Sequence, residues 1–395
     1  MPGPLEGVTV IDLTQIYNGP YAAFLLGQAG ARVIKVEPPG GEHIRRRQAK
    51  HKATLLPFAM LNANKECVTL NLKSDAGLKL MLELVAKADV LVENFAAGVL
   101  ERLGLGWDVL HKANPRLIYA SSTGFGSDGP YKNYPAVDLV VQALSGIIAA
   151  TGYPDQPPVK AGGAPCDFLA ATHLYSAIVT ALFERERTGV GRAVEVSMLE
   201  SVYMTLTGML GAYHAGGKAG RNGNRSGGGA LAPCNLYPAA DGWIAVSCNN
   251  DKDWQGFIAA MERPEAGEDP RFRTEPDRVR NMDALDETVG GWTRLLPKEE
   301  IFQRLLKARV SSAPIREIPE VIEDSHLHAR GALKRIDHPE YGPLVVQTSP
   351  LRFRGGTGVP YRPSHALGAD NREIYGQLLG LDEAVIEKYA AQGVI

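Results

Sequence analysis

Residues 8–36 read VTVIDLTQIYNGPYAAFLLGQAGARVIKV, and this stretch decides the fold. Val8 to Leu13 is rich in β-branched and aliphatic residues, Asn18-Gly19-Pro20 interrupts it, Tyr21 to Gln28 carries apolar residues at helical spacing, and Arg32 to Val36 is a second β-rich run. Strand, helix and strand in that order form a βαβ unit, whose strands lie parallel with a right-handed crossover. The pattern repeats: Cys67 to Leu72 reads as strand, Asp75 to Ala88 as helix, Val90-Leu91-Val92 as strand, Ala97 to Leu103 as helix and Leu117 to Ser121 as strand. The expected architecture is an open parallel α/β sheet, in which ligands bind beyond the carboxyl ends of the strands. The loops there are Gln15-Ile16-Tyr17-Asn18-Gly19-Pro20, Glu37-Pro38-Pro39-Gly40-Gly41, Glu93-Asn94-Phe95 and Thr123-Gly124-Phe125-Gly126. A dinucleotide fold would carry GxGxxG after its first strand; Asn18-Gly19-Pro20 does not supply it, which argues against a nicotinamide or flavin dehydrogenase.

At 395 residues the chain exceeds what one core usually supports, so two domains are expected. A net charge of −2 argues against a general nucleic-acid or membrane-surface role. The start, Met1-Pro2-Gly3-Pro4-Leu5-Glu6, lacks the basic and apolar regions of a signal peptide, and the apolar run from Leu139 to Ala150 is too short to span a bilayer. Cys67, Cys166, Cys234 and Cys248 are far apart, with no CxxC pair and no metal-ligand spacing, as suits reduced thiols; a cytoplasmic protein without a metal is expected.

Beyond Val194-Glu195-Val196 comes a Met-rich apolar helix, Met198 to Leu210, and then a Gly-, Asn- and Arg-rich stretch from Ala215 to Gly229 that reads as an interdomain linker. A strand at Gly242 to Val246 and helical patterns at Phe257 to Met261, Leu285 to Leu296 and Glu299 to Leu306 suggest a small α+β second domain. After Gly331 come short strands and a helix from Asn371 to Gly380.

The run Pro165-Cys166-Asp167 follows the Gly-rich turn Lys160-Ala161-Gly162-Gly163-Ala164 and precedes apolar residues at helical spacing, Phe168 through Phe183. Asp167 therefore reads as a helix N-cap, its charged form favoured by unpaired amides and the helix dipole. Such a carboxylate can serve as a nucleophile on an activated acyl group, although an aspartate in this position taken alone is usually a structural cap.

The chain resembles the class III CoA-transferases, of CaiB/BaiF type, whose relatives include formyl-CoA transferase, carnitine CoA-transferase and α-methylacyl-CoA racemase. The resemblance rests on Leu5-Glu6-Gly7-Val8-Thr9-Val10-Ile11-Asp12-Leu13-Thr14, Gly19-Pro20, Gly30 to Pro38, Asn64-Lys65, Ala88 to Phe95, Asn114 to Ile118, Gly124-Phe125-Gly126, Gly129-Pro130, Thr188 to Arg192, Val194 to Leu199 and Asp269-Pro270-Arg271-Phe272, in that order. It implies a Rossmann-like open parallel sheet built from both chain ends, a smaller α+β domain, and an interlocked homodimer. The implied boundaries are 1–195 for the N-terminal part of the large CoA-binding domain, 196–225 for a linker crossing to the partner, 226–328 for the small domain and 329–395 for the segment returning to the large domain.

The resemblance also implies a reaction. Asp167 occupies the place of the family's catalytic carboxylate, attacking an acyl-CoA to form a mixed anhydride and then an aspartyl-CoA thioester, from which CoA passes to a free carboxylic acid. CoA is a substrate, no cofactor is tightly bound, and neither nucleic acid nor membrane is a partner. Gln15 to Asn18 and the amide after the nucleophile are candidates for the oxyanion, although Tyr17 departs from the glutamine of formyl-CoA transferases. Gly227-Gly228-Gly229 is a candidate for covering the site, a flexible linker being the alternative. By family position Lys73 and Arg102 contact CoA phosphates, with Lys35 and the turn at Pro38 near the nucleotide; Asn94 and Phe125 are further CoA candidates. Arg45, Arg46 and Arg47 are candidates for the second carboxylate of a dicarboxylic acid such as succinate.

Two other readings stand beside this one. Related racemases carry Gly-His-Asp where this chain has Ala136-Val137-Asp138, and valine cannot move a proton. A non-catalytic acyl-CoA-binding homologue is the other.

Overall fold

A computed structural model describes residues 3–48, 56–217, 220–355 and 358–395. The chain divides into two compact units, one of Met1–Ser145, Gly162–Met204 and Ser325–Ile395, the other of Gly146–Ala161 and Thr205–Asp324.

The first unit is built on a six-stranded sheet. Its strands are β1 (Thr9–Asp12), β2 (Arg32–Glu37), β3 (Lys65–Thr69), β4 (Val90–Glu93), β5 (Ile118–Thr123) and β6 (Ala193–Ser197), in the spatial order β3-β2-β1-β4-β5-β6. Every neighbouring pair is parallel, with Ile11 opposite Ile34 and Leu91. Alternate residues of the strands serve two cores. Ile11, Ile34, Val68 and Leu91 meet Leu80, Met81 and Leu84, together with Ile374 and Tyr375. Val10, Val33, Val90 and Ile118 face the other way, against Ala22, Ala23, Leu174 and Ile178. Burial on both faces explains the near-continuous apolar runs of these strands.

The helices that matter to the site are α1 (Asn18–Gln28), α2 (Asp75–Val85), α3 (Asp138–Ser145), α4 (Pro165–Thr188) and α5 (Met198–Tyr203). Ser74 caps α2 and Ser197 caps α5, each side chain accepting the amide three residues on. The 24-residue α4 is apolar and long enough to cross a bilayer by length and composition. In this fold it lays Ala171, Leu174 and Ile178 on the sheet, and its buried Arg185 reaches Asp89 at 2.9 Å.

The carboxyl end of the chain completes the first unit. An antiparallel hairpin, β10 (Leu333–His338) and β11 (Gly342–Gln347), leads to a wide π-type helical segment at Arg372–Leu378, where the sequence predicts a helix. The Asn71 amide donates to Val394 O at 2.7 Å, and Asp370 and Asn371 accept the amides of Cys67 and Thr69 along β3.

The second unit has the expected α+β composition. β7 (Cys234–Ala239), β8 (Gly242–Ser247) and β9 (Ser311–Pro314) form an antiparallel sheet, covered by helices that bury Trp254, Phe257, Leu285, Trp292, Ile301 and Leu305. The sequence reads one Met-rich helix from Met198 to Leu210; the structure divides it into α5, a tight turn at Met204–Leu206 and a further helix at Thr207–His214, with the boundary between units falling between Met204 and Thr205.

Candidate active site

β1 pairs with β2 on one side and β4 on the other, so chain connections run in opposite directions from it and a crevice opens above its carboxyl end. The loops that follow β1 and β4 are tied together there. The Gln15 amide donates to Asn94 Oδ1 at 2.8 Å, and Asn94 Nδ2 donates back to Gln15 O at 2.9 Å. Beside this pair lies a cavity of about 550 Å³. Gln15, Asn18, Asn94, Arg102, Phe125 and Asp167, all singled out in the sequence, line it.

Buried ions hold the β1 loop from below. Asp12 is fully buried; its Oδ1 accepts the Thr14 amide at 2.8 Å, and its Oδ2 receives Lys65 Nζ at 2.8 Å. Lys65 also donates to Pro20 O and Asn62 Oδ1, while Lys35 Nζ donates to Thr14 O at 2.8 Å. Burial alone would raise the Asp12 carboxyl, but the charges of Lys35 and Lys65 outweigh it and hold it below its usual value. Two residues past Thr14, Ile16 turns through a φ of 69°, a left-handed conformation that costs a β-branched residue about 1 to 3 kcal/mol. The anchored ends at Thr14 and Pro20 impose that turn.

Glu93 supports the opposite loop: its Oε2 accepts the Phe95 amide at 2.7 Å and its Oε1 the Tyr119 hydroxyl at 3.1 Å. Burial pushes Glu93 up to about 7.

Asp167 differs from the sequence expectation in two ways. The helix begins at Pro165 with Ala164 as N-cap, so Asp167 is the third helical residue and not the cap. Capping comes instead from a residue 29 positions earlier: Asp138 Oδ1, at the start of α3, accepts the amide of Cys166 at 2.9 Å and that of Asp167 at 3.4 Å. The Asp167 carboxyl itself receives the amide of Asn18 at the mouth of α1. Burial first, and then the charge of Asp138, outweigh that amide and push Asp167 up to about 7. The expectation that helix amides favour its charged form is thus corrected, because those amides already belong to Asp138. The expected oxyanion donor after the nucleophile is corrected too: the Phe168 amide is spent inside the helix on Ala164 O at 3.2 Å.

Other sequence candidates lie elsewhere. Tyr17 stacks on Phe168, ring centroids 6.2 Å apart, and does not line the cavity. Lys35 is wholly buried and spent on Thr14, which removes it from the CoA contacts proposed for it. Pro38 and Lys73 are exposed and also do not line the cavity. Arg45 is committed to Glu37 at 2.8 Å and lies 3.8 Å above the Phe58 ring, and Arg46 is exposed. The side chain of Arg47 and the surroundings of Gly228 lie outside the described residues. Gly227 to Gly229 form a tight helical turn in the second unit.

The cavity also holds Ser122, Lys132 and Tyr134, which sequence reasoning passed over, together with Thr123 of the strand-end loop and Asp138, which the sequence marks only as the neighbour of Val137. Ser122 Oγ accepts Asn18 Nδ2 at 2.8 Å. Arg102 and Lys132 have no carboxylate partner among the described residues, which leaves two cations for an anionic ligand. The sequence signal for Lys132 was its place in an aromatic run, Tyr131-Lys132-Asn133-Tyr134, just after Gly129-Pro130. Among the described residues no cluster of His, Cys, Asp and Glu is arranged to hold a metal.

Comparison with known proteins identifies the family. The family model described as CoA-transferase family III matches residues 5–371. The chain is 38% identical to the acetyl-CoA:oxalate CoA-transferase of Acetobacter aceti, over 91% of this chain and 92% of that one. It is 35% identical to the succinyl-CoA–D-citramalate CoA-transferase of Chloroflexus aurantiacus, over 100% of this chain and 98% of the relative. The crystal structure of a CaiB/BaiF family protein from Brucella suis superposes with a TM-score of 0.86 at 30% identity, covering 96% of this chain and all of that one. The chain belongs to CoA-transferase family III and is an enzyme of that family.

Proposed function

We propose that the protein moves CoA from an acyl-CoA donor to a free carboxylic acid by covalent catalysis at Asp167. The single observation that carries this reading is the Asp167 carboxyl standing in one cavity with Asn94, Arg102 and Phe125 at the sheet's switch point. An Asp167 oxygen attacks the donor's acyl carbon, the carbon–sulfur bond breaks, and CoA leaves as thiolate from a mixed anhydride. The thiolate then attacks the Asp167 carbonyl, expelling the donor acid as carboxylate and leaving an aspartyl-CoA thioester. The acceptor carboxylate displaces CoA to form a second anhydride, and the thiolate attacks the acceptor's acyl carbon, freeing Asp167. No water, electron or net proton is consumed, and water must be kept out because it would hydrolyse each intermediate.

In this reading the oxyanion donors are the Asn18 amide, which bears on the Asp167 carboxyl, and Gln15, which lines the cavity, each donor worth about 3 to 4 kcal/mol in the transition state. Arg102 and Lys132 supply charge for the phosphates of CoA or for a second carboxylate of the acid. The relatives named for succinyl-CoA favour a succinyl-type donor. The racemase alternative loses support because Val137, 59% exposed, lines the cavity where a second proton carrier would be needed.

The working molecule is a homodimer in this reading. Met204 and Tyr213 are 66% and 68% exposed along the 196–225 segment held to cross between subunits, an arrangement that suits burial by a second copy.

The test is incubation with succinyl-CoA, acetyl-CoA or formyl-CoA and a panel of acids in D2O, followed by mass spectrometry. New acyl-CoA esters that disappear with Asp167→Ala are expected. Turnover retained in that variant, or α-deuteration without transfer, would overturn the reading. Sedimentation velocity of the full chain checks the dimer; a monomer at working concentration would refute that part.

A further inference from the structure

Three constraints converge on Asp138. Its Oδ1 accepts the amides of Cys166 and Asp167, the only support for the first turn of α4 that comes from outside the helix among the described hydrogen bonds there. Its other oxygen receives Gln142 Nε2 one turn along α3, which fixes the carboxylate plane. The segment that carries it is pressed onto the end of β5: a Cβ at Gly124 would sit 2.1 Å from the Cβ of Ala136, so only glycine lets residues 136–138 approach this closely. The sequence resemblance drew attention to Val137; the structure draws it to the next residue.

We infer that Asp138 is a positioning residue for the nucleophile: its carboxylate fixes the turn that presents Asp167 and sets beside it a negative charge whose repulsion acylation removes. The inference rests on Asp167 being the group acylated. When Asp167 is a free carboxylate, two negative charges share a partly buried site. When it becomes an anhydride or thioester, it is neutral, and the repulsion is gone. Asp138 thereby raises the free nucleophile in energy relative to both covalent intermediates, and it makes the attacking oxygen more basic. Burying an isolated aspartate would achieve the second effect but would leave the helix turn uncapped.

The other groups around Asp167 do not reproduce this. On α4 its neighbour Cys166 has a buried thiol pushed up to about 12, by burial first and then by Asp138, and is neutral. α1 presents Tyr17 and Tyr21 through their contacts with Phe168, and α5 presents Met198. β5 contributes Ser122 and Thr123, and Arg102 and Lys132 line the same cavity without registering at Asp167. Glu93, beneath Phe95, also titrates near neutrality but acts on the opposite loop.

The experiment compares the full-length protein with Asp138→Asn and Asp138→Ser, both of which keep an oxygen that can accept the capping amides and lose the charge. Two quantities are read on each: the acid limb of kcat/KM for the acyl-CoA, and the fraction of Asp167 found as hydroxamate after hydroxylamine trapping at pH 8.5, by peptide mass spectrometry. The expected result is an acid limb lowered by about one pH unit and a trapped fraction lowered severalfold, up to about tenfold, in both variants. Unchanged limb and unchanged trapping would overturn the inference, as would a loss of turnover with the limb in place, which is what a purely structural cap would produce. If neither variant folds, the wild-type protein decides: with carbon-13-labelled aspartate, side-chain carboxyls at positions 138 and 167 that titrate as a coupled pair support the role, and a carboxyl at 167 that titrates independently of 138 refutes it. Failure of the underlying reading looks different: position 167 is then never trapped in the wild-type protein.

Discussion

Gln15 and Asn94 exchange two hydrogen bonds across the switch point of the sheet, each giving one donor and one acceptor, at 2.8 and 2.9 Å. Their pairing converts two separate strand-end loops into one wall of the cavity. The Asn94 amide satisfies both Gln15 backbone groups at once, where a carboxylate would lack the donor and an alanine would lack both. Asn94→Ala is expected to cost about 1 to 2 kcal/mol of stability and to reduce kcat/KM for the acyl-CoA by about tenfold or more, Asn94→Asp losing less stability. Urea unfolding and steady-state kinetics check this; an unaltered kcat/KM would show that the wall plays no part in binding.

Asp167 carries a stability cost in its charged form. The folded protein raises it from 3.8 to about 7, so the native state holds this proton more tightly than the unfolded chain. Its favourable contribution is complete below pH 4 and is lost as pH climbs through 7. Asp167→Asn should therefore gain on the wild type by about 2 kcal/mol at pH 8, allowing for the part-exposed carboxyl, and the gain should shrink as pH falls toward 5. Thermal unfolding at both pH values reads the difference. A gain that does not depend on pH would contradict the environment described for this side chain.

Gly124 lets residues 136–138 lie against β5. Gly124→Ala must displace that segment, because 2.1 Å is far inside carbon–carbon contact, and Asp138 moves with it. The expected outcome is a fall in kcat of about tenfold or more with KM for the acyl-CoA changed less. A variant with wild-type kcat would mean that the placement of Asp138 is not critical.

Arg45 is bound to Glu37, whose side chain is fully buried, so its removal strands a charge. Arg45→Ala is expected to destabilise the fold by about 3 kcal/mol. The preference for dicarboxylic over monocarboxylic acceptors should not change, because the guanidinium is already occupied. A selective loss of dicarboxylate turnover would restore Arg45 as a substrate contact.

His365 Nδ1 meets Asp370 Oδ2 at 2.7 Å, where Asp370 also accepts the Cys67 amide and clips the carboxyl-terminal segment to β3. The hydrogen bond to Asp370 raises His365, whose contribution is thus full below 6.5 and lost as pH rises through its raised value. For Asp370, burial is outweighed by His365 and the Cys67 amide; its contribution is present above 3.8 and lost as pH falls. The clip is strongest between about pH 4 and 6.5. Amide exchange along β3, corrected for intrinsic rates, should show less protection at pH 8 than at pH 6, and His365→Asn should abolish the difference. The effect is under about 1 kcal/mol, since His365 is 38% exposed.

Much of the first unit was legible in the chain because its strands are buried on both faces and its helices carry one apolar stripe. Those periods survive in one dimension, which is why β1, α1 and β2 lie close to where the sequence puts them. The cavity was partly legible for a related reason: Gln15, Asn18, Asn94 and Phe125 all sit just past strand ends. Lys35 was misjudged because a lysine in an apolar strand says nothing about its partner. The register decides it, placing Asp12 opposite Lys35 on the neighbouring strand and Thr14 O within reach of its ammonium.

By itself the sequence determined the βαβ order, the strand-end loops and the helix that carries Asp167, since these follow from local propensity and short-range periodicity. Only the tertiary structure decided what Asp167 faces. Its cap is Asp138 and its amide donor is Asn18, 29 and 149 positions away along the chain, and electrostatics acts through distances in space that no spacing along a sequence encodes.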